Sequence, residues 1–309
     1  FRSIATGPKM NASMWVLALL DGTTQAALLF LVALGLSLIF GVMRILNVAH
    51  GSFYAFGGYA AATVSAWLAN GESVPMSVLA LLMGALLMGV VLGLILEIGL
   101  VRRILTIDPV MQLLATFAVF MIMEDLQRMI WGASPVSVTH AVDAMGTLNV
   151  AGVTYTAYQV ILLPLAAISV FIALRWSLSH TRFGRQVMAV THHREVASAM
   201  GINAKQVGLL TFCVGAVMGT LGGALASPTT SLVPGIGGDM MVLSFAVVAV
   251  AGLGQITGTA VAAVLIGMGK AFAVYLLPEL DVLVPYLMML LVLLWRPQGL
   301  FAVDEARRV

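Results

Sequence analysis

The hydrophobic positions of this chain run in long continuous blocks and do not alternate. Apolar blocks occupy about 14–43, the residues up to about 69, 76–100, 109–131, 157–176, 207–226, 240–251, 257–277 and 282–295. Several reach the roughly 20 residues that a helix needs to cross a bilayer. In lipid such blocks must be helical, because each backbone polar group needs a partner within the segment. A membrane β-barrel would alternate apolar and polar positions, which these blocks do not. The pattern therefore predicts an all-α fold: a polytopic membrane helix bundle of about eight to ten segments, with broken or re-entrant helices.

The breaks are themselves legible. Asp21 and Gly22 interrupt the first block, so its continuous part is expected to begin near Thr23. The stretch RILNVAHGSFYAFGGY (44–59) is too polar and too rich in glycine for an ordinary lipid-facing helix. The block 240–251 covers only about half a bilayer at 1.5 Å per residue, and Gly252 and Gly254 follow it. Interrupted segments persist at membrane depth only where protein or a water-filled cavity covers them.

Polar connections divide these blocks. A turn is expected at 70–75, a connection without Lys or Arg at 132–156, and a Pro/Gly-rich link at 227–239. The largest insertion, RWSLSHTRFGRQVMAVTHHREVASAMGINAK (175–205), is basic and reads as a short helix followed by Gly-Ile-Asn. A membrane protein with one such insertion is built to be gripped by a cytoplasmic partner. Arg102, Arg103, this insertion and the C-terminal tail fall on one side if each block crosses once, and the positive-inside bias makes that side cytoplasmic. The N-terminus is ambiguous: Arg2 and Lys9 pull it inward while counting puts it outside, and a half-crossing resolves the conflict. The division expected is a polar leader (1–13), one transmembrane domain (14–303) with a cytoplasmic segment at 178–206, and a cytoplasmic tail (304–309).

Composition sharpens the class. The chain is 61% hydrophobic and 9% charged, where soluble chains carry about a quarter charged residues. Its net charge of +2 adds little. The single cysteine, Cys213, excludes an internal disulfide and suits a small core position. The first ten residues have no apolar region before a cleavage site, so they do not read as a signal peptide.

Candidate chemistry is sparse. There is no G-x-x-x-x-G-K-[ST] nucleotide loop, no H-E-x-x-H, and no Cys/His cluster at metal spacing. His192 and His193 are adjacent and read as solvated loop residues. No nucleophile–base constellation nominates an enzyme. The polar group that stands out is Asn47, His50, Gly51, Ser52 and Tyr54. Intramembrane polar side chains are expensive and face a pathway or a bundle interior. Asn47 and His50 read either as a helix cap tying two helices together or as lining of a translocation path, and the two readings are compatible. Glu124 and Arg128 are spaced to pair on one helix face, near Asp125 and Trp131, as an interface anchor or a vestibule patch. Asp239 and Lys270 are isolated and read as structural, with Lys270 able to snorkel. GxxxG pairs at Gly89/Gly93 and Gly219/Gly223 favour close packing, a weak signal in a Gly-rich bundle.

Four segments carry a family resemblance: GLSLIFGVMRILNVAHGSFYAFGGY (35–59), FGRQVMAVTHHREVASAMGINAKQVGLLTF (183–212), AGLGQITGTAVAAVLIG (251–267) and LVLLWRPQGLF (291–301). Their order and spacing over nearly the whole chain resemble the LivH-type permease subunits of bacterial branched-chain amino-acid ABC importers. The chain departs from the family at His192–His193, where an Asn or Asp is usual, and at Thr257 and Arg103, where Pro is common. These departures blur the subfamily and the solute.

The resemblance implies half of a pore paired with a second related permease, in a bacterial inner membrane. Two cytoplasmic ATPases would dock on the coupling segment, with Arg182, Gly184, Arg185, Glu195, Ala197, Gly201 and Ile202 as its coupling residues. The arginines taken alone also fit ordinary positive-inside orientation. A periplasmic binding protein would deliver the solute. This chain would bind no cofactor and no nucleic acid, its partners hydrolysing ATP. Branched-chain or other amino acids are the expected cargo; urea, short amides or small organic acids share the scaffold. A stand-alone carrier or channel is the alternative of a different class.

Overall fold

The computed structural model describes residues 11–68 and 73–301. The tail 304–309, residues 1–10 of the expected leader and part of the 70–75 turn lie outside them. The chain forms α1 (Ala12–Met43), α2 (His50–Leu68) and α3 (Val74–Leu96), the last running through one π-helical turn (Glu97–Val101) into a stub, α4 (Arg102–Ile104). Then come α5 (Pro109–Trp131), α6 (His140–Met145) and a hairpin of β1 (Thr147–Val150) and β2 (Val153–Thr156). A second π turn (Tyr158–Leu162) leads into α7 (Leu163–His180), followed by α8 (Arg182–His192) and α9 (Arg194–Ala199). The remainder is α10 (Ala204–Ala226), α11 (Ile236–Ala251), α12 (Ile256–Leu276) and α13 (Leu283–Trp295). Six stretches are long and apolar enough to cross a membrane: Ala12–Met43, Val74–Ile104, Pro109–Trp131, Tyr158–His180, Ala204–Ala226 and Ile256–Leu276. The shorter α2, α11 and α13, of 19, 16 and 13 residues, complete the bundle.

Two expectations need correction. α1 is unbroken through Asp21 and Gly22. The Asp21 carboxylate accepts hydroxyls from Tyr155 and Tyr275, and a Cβ at Gly22 would stand 2.4 Å from Met268 Sδ, so both residues serve helix packing. α11 starts at Ile236, four residues before the apolar block, because Gly237–Asp239 is helical although not apolar. The connection 132–156, whose secondary structure the sequence left open, carries the antiparallel hairpin with Val150 opposite Val153. Ala151 and Gly152 both have positive φ (52° and 85°), the two-residue turn that matches strand twist.

Contacts between helix ends give each helix a direction. Asp21 near the start of α1 meets Tyr155 of β2 and Tyr275 at the end of α12, so these share one end of the bundle, the hairpin end. Met43 at the close of α1 lines a small cavity with Arg102, Arg194 and Lys205, which marks the basic end. α1 therefore starts at the end opposite Arg102, as simple counting required. Arg44 terminates α1 in the left-handed region (φ 54°), its N–H donating to Phe40 O at 2.8 Å.

α2 does not begin where α1 ends. His50, its first residue, bonds the carbonyl of Val32, eleven residues back along α1, or about 16 Å from the basic end at 1.5 Å per residue. Residues 44–49 thus climb back into the bundle before α2 runs on to the hairpin end. The link after α10 mirrors this. Leu232 is bridged to Val136 at the hairpin end, and the chain then descends to start α11 beside Gly51, after which α11 runs to the basic end. α1 packs along α12, α10 packs along α3, and α1 and α10 pack on each other. The core is two units of opposite direction, each a crossing helix followed by a re-entrant segment and a partial helix.

Candidate functional site

The two partial helices meet N-terminus to N-terminus. A Cβ on Gly51 would lie 2.3 Å from the Gly237 carbonyl oxygen, and one on Gly237 would lie 2.7 Å from the Gly51 oxygen. Only glycine on both sides permits this approach. The structure thus brings Asn47, His50, Gly51, Ser52 and Tyr54 together at mid-depth, where all five are buried. His50 Nε2 sits 2.9 Å from Val32 O and its ring stands edge-on to Phe53. That bond ties α2 to α1. Tyr54 lies in the main core, and its carbonyl is covered by Gly223. Of the five, Ser52 lines a cavity of about 10 Å³ beside Gln127, Glu124, Phe120 and Gly237.

The surroundings are polar beyond what apolar packing requires. Asn47 Nδ2, His50 Nδ1 and Ser52 Oγ are buried without a hydrogen-bond partner among the described residues. Buried polar groups are normally paired. Two helix N-termini converge beside these open polar groups. Glu124 and Arg128 pair at 2.6 Å, as their spacing predicts, with Asp125 3.7 Å from the same guanidinium. Asp239, in the first turn of α11, is exposed, which at this depth requires a partner or a water-filled path alongside.

α5 supplies residues the sequence reading missed. Thr116 Oγ1 accepts from Val48 N–H at 3.3 Å and lies 3.4 Å from Leu46 O, satisfying the re-entrant backbone. Gln112, Thr116 and Gln127 are the buried polar residues of α5, apart from the charged Glu124, Asp125 and Arg128. The four-residue spacing of Gln112 and Thr116 was the available signal, but an isolated Thr or Gln names no partner.

At the basic end α8 and α9 form an amphipathic platform. Thr181 caps α8 by accepting from Gly184 N–H at 3.2 Å. A turn around Gly201 (φ 85°) closes α9, with Gly201 N–H donating to Ser198 O and Ile202 N–H to Ala197 O. Asn203 then caps α10, accepting from Lys205 and Gln206. Val187, Val190, Ala197 and Val207 form a small core under this platform. Of the coupling residues read from the sequence, Arg182, Arg185, Glu195 and Gly201 are exposed and Ile202 is half-buried. Gly184 and Ala197 are buried and face inward; a Cβ on Gly184 would meet Leu178 O at 2.1 Å. The sequence reading did not single out Met188, which is 50% exposed beside Val196 at 60% and Met200 at 79%. Behind the platform, the Arg102 guanidinium clasps the buried Glu97 carboxylate at 3.1 and 2.7 Å across the π turn.

A membrane bundle with two helices starting at mid-depth and an amphipathic segment projecting from its basic end has the build of a transport permease. The chain belongs to the family of branched-chain amino acid transport system permease components, whose model matches residues 18–293. It is 24% identical over 298 residues to the high-affinity branched-chain amino acid transport system permease protein BraD of Pseudomonas aeruginosa, covering 94% of this chain and 97% of that one. It is similarly 24% identical to LivH of Escherichia coli K12, the permease protein of a high-affinity branched-chain amino acid transport system, over 94% and 96% of the two chains. A probable branched-chain amino acid transport permease LivH of Methanocaldococcus jannaschii is 24% identical over 90% of this chain and 89% of its own. No solved structure matches the chain.

Proposed function

We propose that this multi-pass membrane protein is the permease subunit of an ATP-driven importer for branched-chain or similar neutral amino acids. It works in a bacterial inner membrane as half of a pore completed by a second related permease. Nine membrane helices form its domain, the partial helices α2 and α11 among them. The observation that carries the reading is the platform of α8 and α9, with Met188, Val196 and Met200 presented at the basic end of a bundle whose core holds two opposed partial helices.

Two cytoplasmic ATPases supply the energy. One grips this chain's platform through the exposed apolar residues, with Arg182, Arg185 and Glu195 at its rim. Motion of the platform reaches the core along α10, which Asn203 caps and which packs on α1, α2 and α3. The exposed Asp239 and the Glu124–Arg128 pair mark the face that looks onto the path and the second permease. A periplasmic binding protein selects the solute and delivers it to the hairpin end.

The test is purification of the tagged chain from its own membrane in mild detergent, with mass spectrometry of its companions and uptake of labelled leucine after reconstitution. Two P-loop ATPases, a second permease and ATP-dependent uptake are expected. A chain that emerges alone after crosslinking in intact membranes, and moves solute without ATP, overturns the reading in favour of a carrier or channel.

A further inference from the structure

A second polar cavity lies at the hairpin end, away from the α2–α11 junction. It has a volume of about 270 Å³ and sits between α1, α12, the start of α7 and the link after α10. Its volume is near the low end of the range for small-molecule sites. Asp21 and Lys270, opposite charges on two otherwise apolar helices, both line it. Asp21 is eleven residues, or about 16 Å, from the level of Val32 and His50, so this space is separate from the mid-depth junction.

The two charges are held differently. Asp21 is positioned: the Tyr275 hydroxyl donates to Oδ2 at 2.5 Å and the Tyr155 hydroxyl donates to Oδ1. An ionised carboxylate has about four acceptor positions, so two remain open. Lys270 makes no hydrogen bond or ion pair with any described residue, leaving its three donors open toward the cavity. Thr24, Gln25, Gln159 and Thr230 add hydroxyls and amides, while Leu28 and Val274 give it an apolar wall.

We infer that this cavity binds a small zwitterion with an aliphatic side chain, its ammonium on Asp21, its carboxylate on Lys270, and its side chain against Leu28 and Val274. A charge on a membrane helix is costly, and placing two of opposite sign around one polar space fits a ligand that carries both. Neither an amine nor an acid alone satisfies both ends. The inference rests on the proposed function for its choice of ligand, and it places an outer binding site within a single permease subunit. Thr229 and Thr230 lie in the cavity wall at the root of the link that descends to Gly237. An occupied site therefore touches the segment that positions α11.

The experiment uses the reconstituted importer with Cys213→Ala and Thr230→Cys, since Thr230 is exposed and lines the cavity. Labelling of the introduced thiol by a methanethiosulfonate is timed with and without L-leucine. Leucine is expected to slow labelling, while isopentylamine and 4-methylpentanoate do not. Lys270→Met and Asp21→Asn should each raise the leucine concentration needed by about tenfold or more, whereas Lys270→Arg retains protection. Protection that survives Lys270→Met, or its absence in an importer that carries leucine, overturns the site and leaves the proposed function standing. An importer that carries no amino acid overturns the proposed function, and labelling still reports on the site.

Discussion

The backbones of Gly51 and Gly237 touch so closely that neither position has room for a Cβ. Both residues lie in the first turn of a partial helix, so this contact fixes how α2 and α11 meet.

Gly51→Ala and Gly237→Ala are therefore each expected to destabilise the protein, by about 1–3 kcal/mol from overpacking. The same changes should depress uptake. Thermal unfolding of the detergent-solubilised complex, beside leucine uptake in vesicles, checks this. Unchanged unfolding in both variants would show that the junction is loose.

Thr116 holds the re-entrant backbone through Val48 N–H. Thr116→Val keeps the shape and deletes the hydroxyl. A loss of about 1–3 kcal/mol is expected from leaving buried backbone groups unpaired. Hydrogen exchange at residues 45–49 should speed up, while exchange in α12 stays as in the parent.

Gly201 has φ of 85° and donates its N–H to Ser198 O at 3.1 Å. Proline can do neither. Gly201→Pro is expected to displace α9 from the platform and uncouple transport, so that uptake falls while the membrane bundle remains assembled. Retained ATPase docking with normal uptake would remove residues 178–206 from the coupling role.

Tyr155, in the hairpin outside the membrane, has its hydroxyl held above the usual tyrosine range, first by burial and then by the Asp21 carboxylate that accepts its hydrogen bond. A raised folded value means that the stabilisation is complete below the unfolded tyrosine value of about 10 and is lost as pH rises beyond it. The stability advantage of the parent over Tyr155→Phe should therefore hold at pH about 8 and shrink at pH about 11. Unfolding midpoints of the two proteins at both pH values test the sign.

Much of the architecture was legible because lipid leaves the chain few options. Continuous apolar blocks had to be helices, and 109–131 matches α5 at both ends because Pro109 starts it and Gly132 ends it. The missing basic residues in 132–156 correctly set that connection opposite Arg102. Asn47 to Tyr54 stood out because polar groups and glycines are rare at such depth. Asp21 was misread as a break because its two tyrosine partners are 134 and 254 residues away in the chain. Lys270 was read as isolated, and it makes no hydrogen bond or ion pair with any described residue.

By itself the sequence determined that this is a membrane helix bundle with a basic polar segment at 175–205 and a glycine-rich break after the first span. These follow from local hydrophobicity and backbone freedom, which act over a few residues. Only the tertiary structure decided that the second partial helix starts against the first, that Thr116 secures the re-entrant strand of chain, and that Asp21 and Lys270 share a cavity. Each of these depends on which helices pack together, and in a uniformly apolar chain hydrophobicity does not choose the partner. Close steric fit at Gly51 and Gly237 and a few long-range polar contacts do.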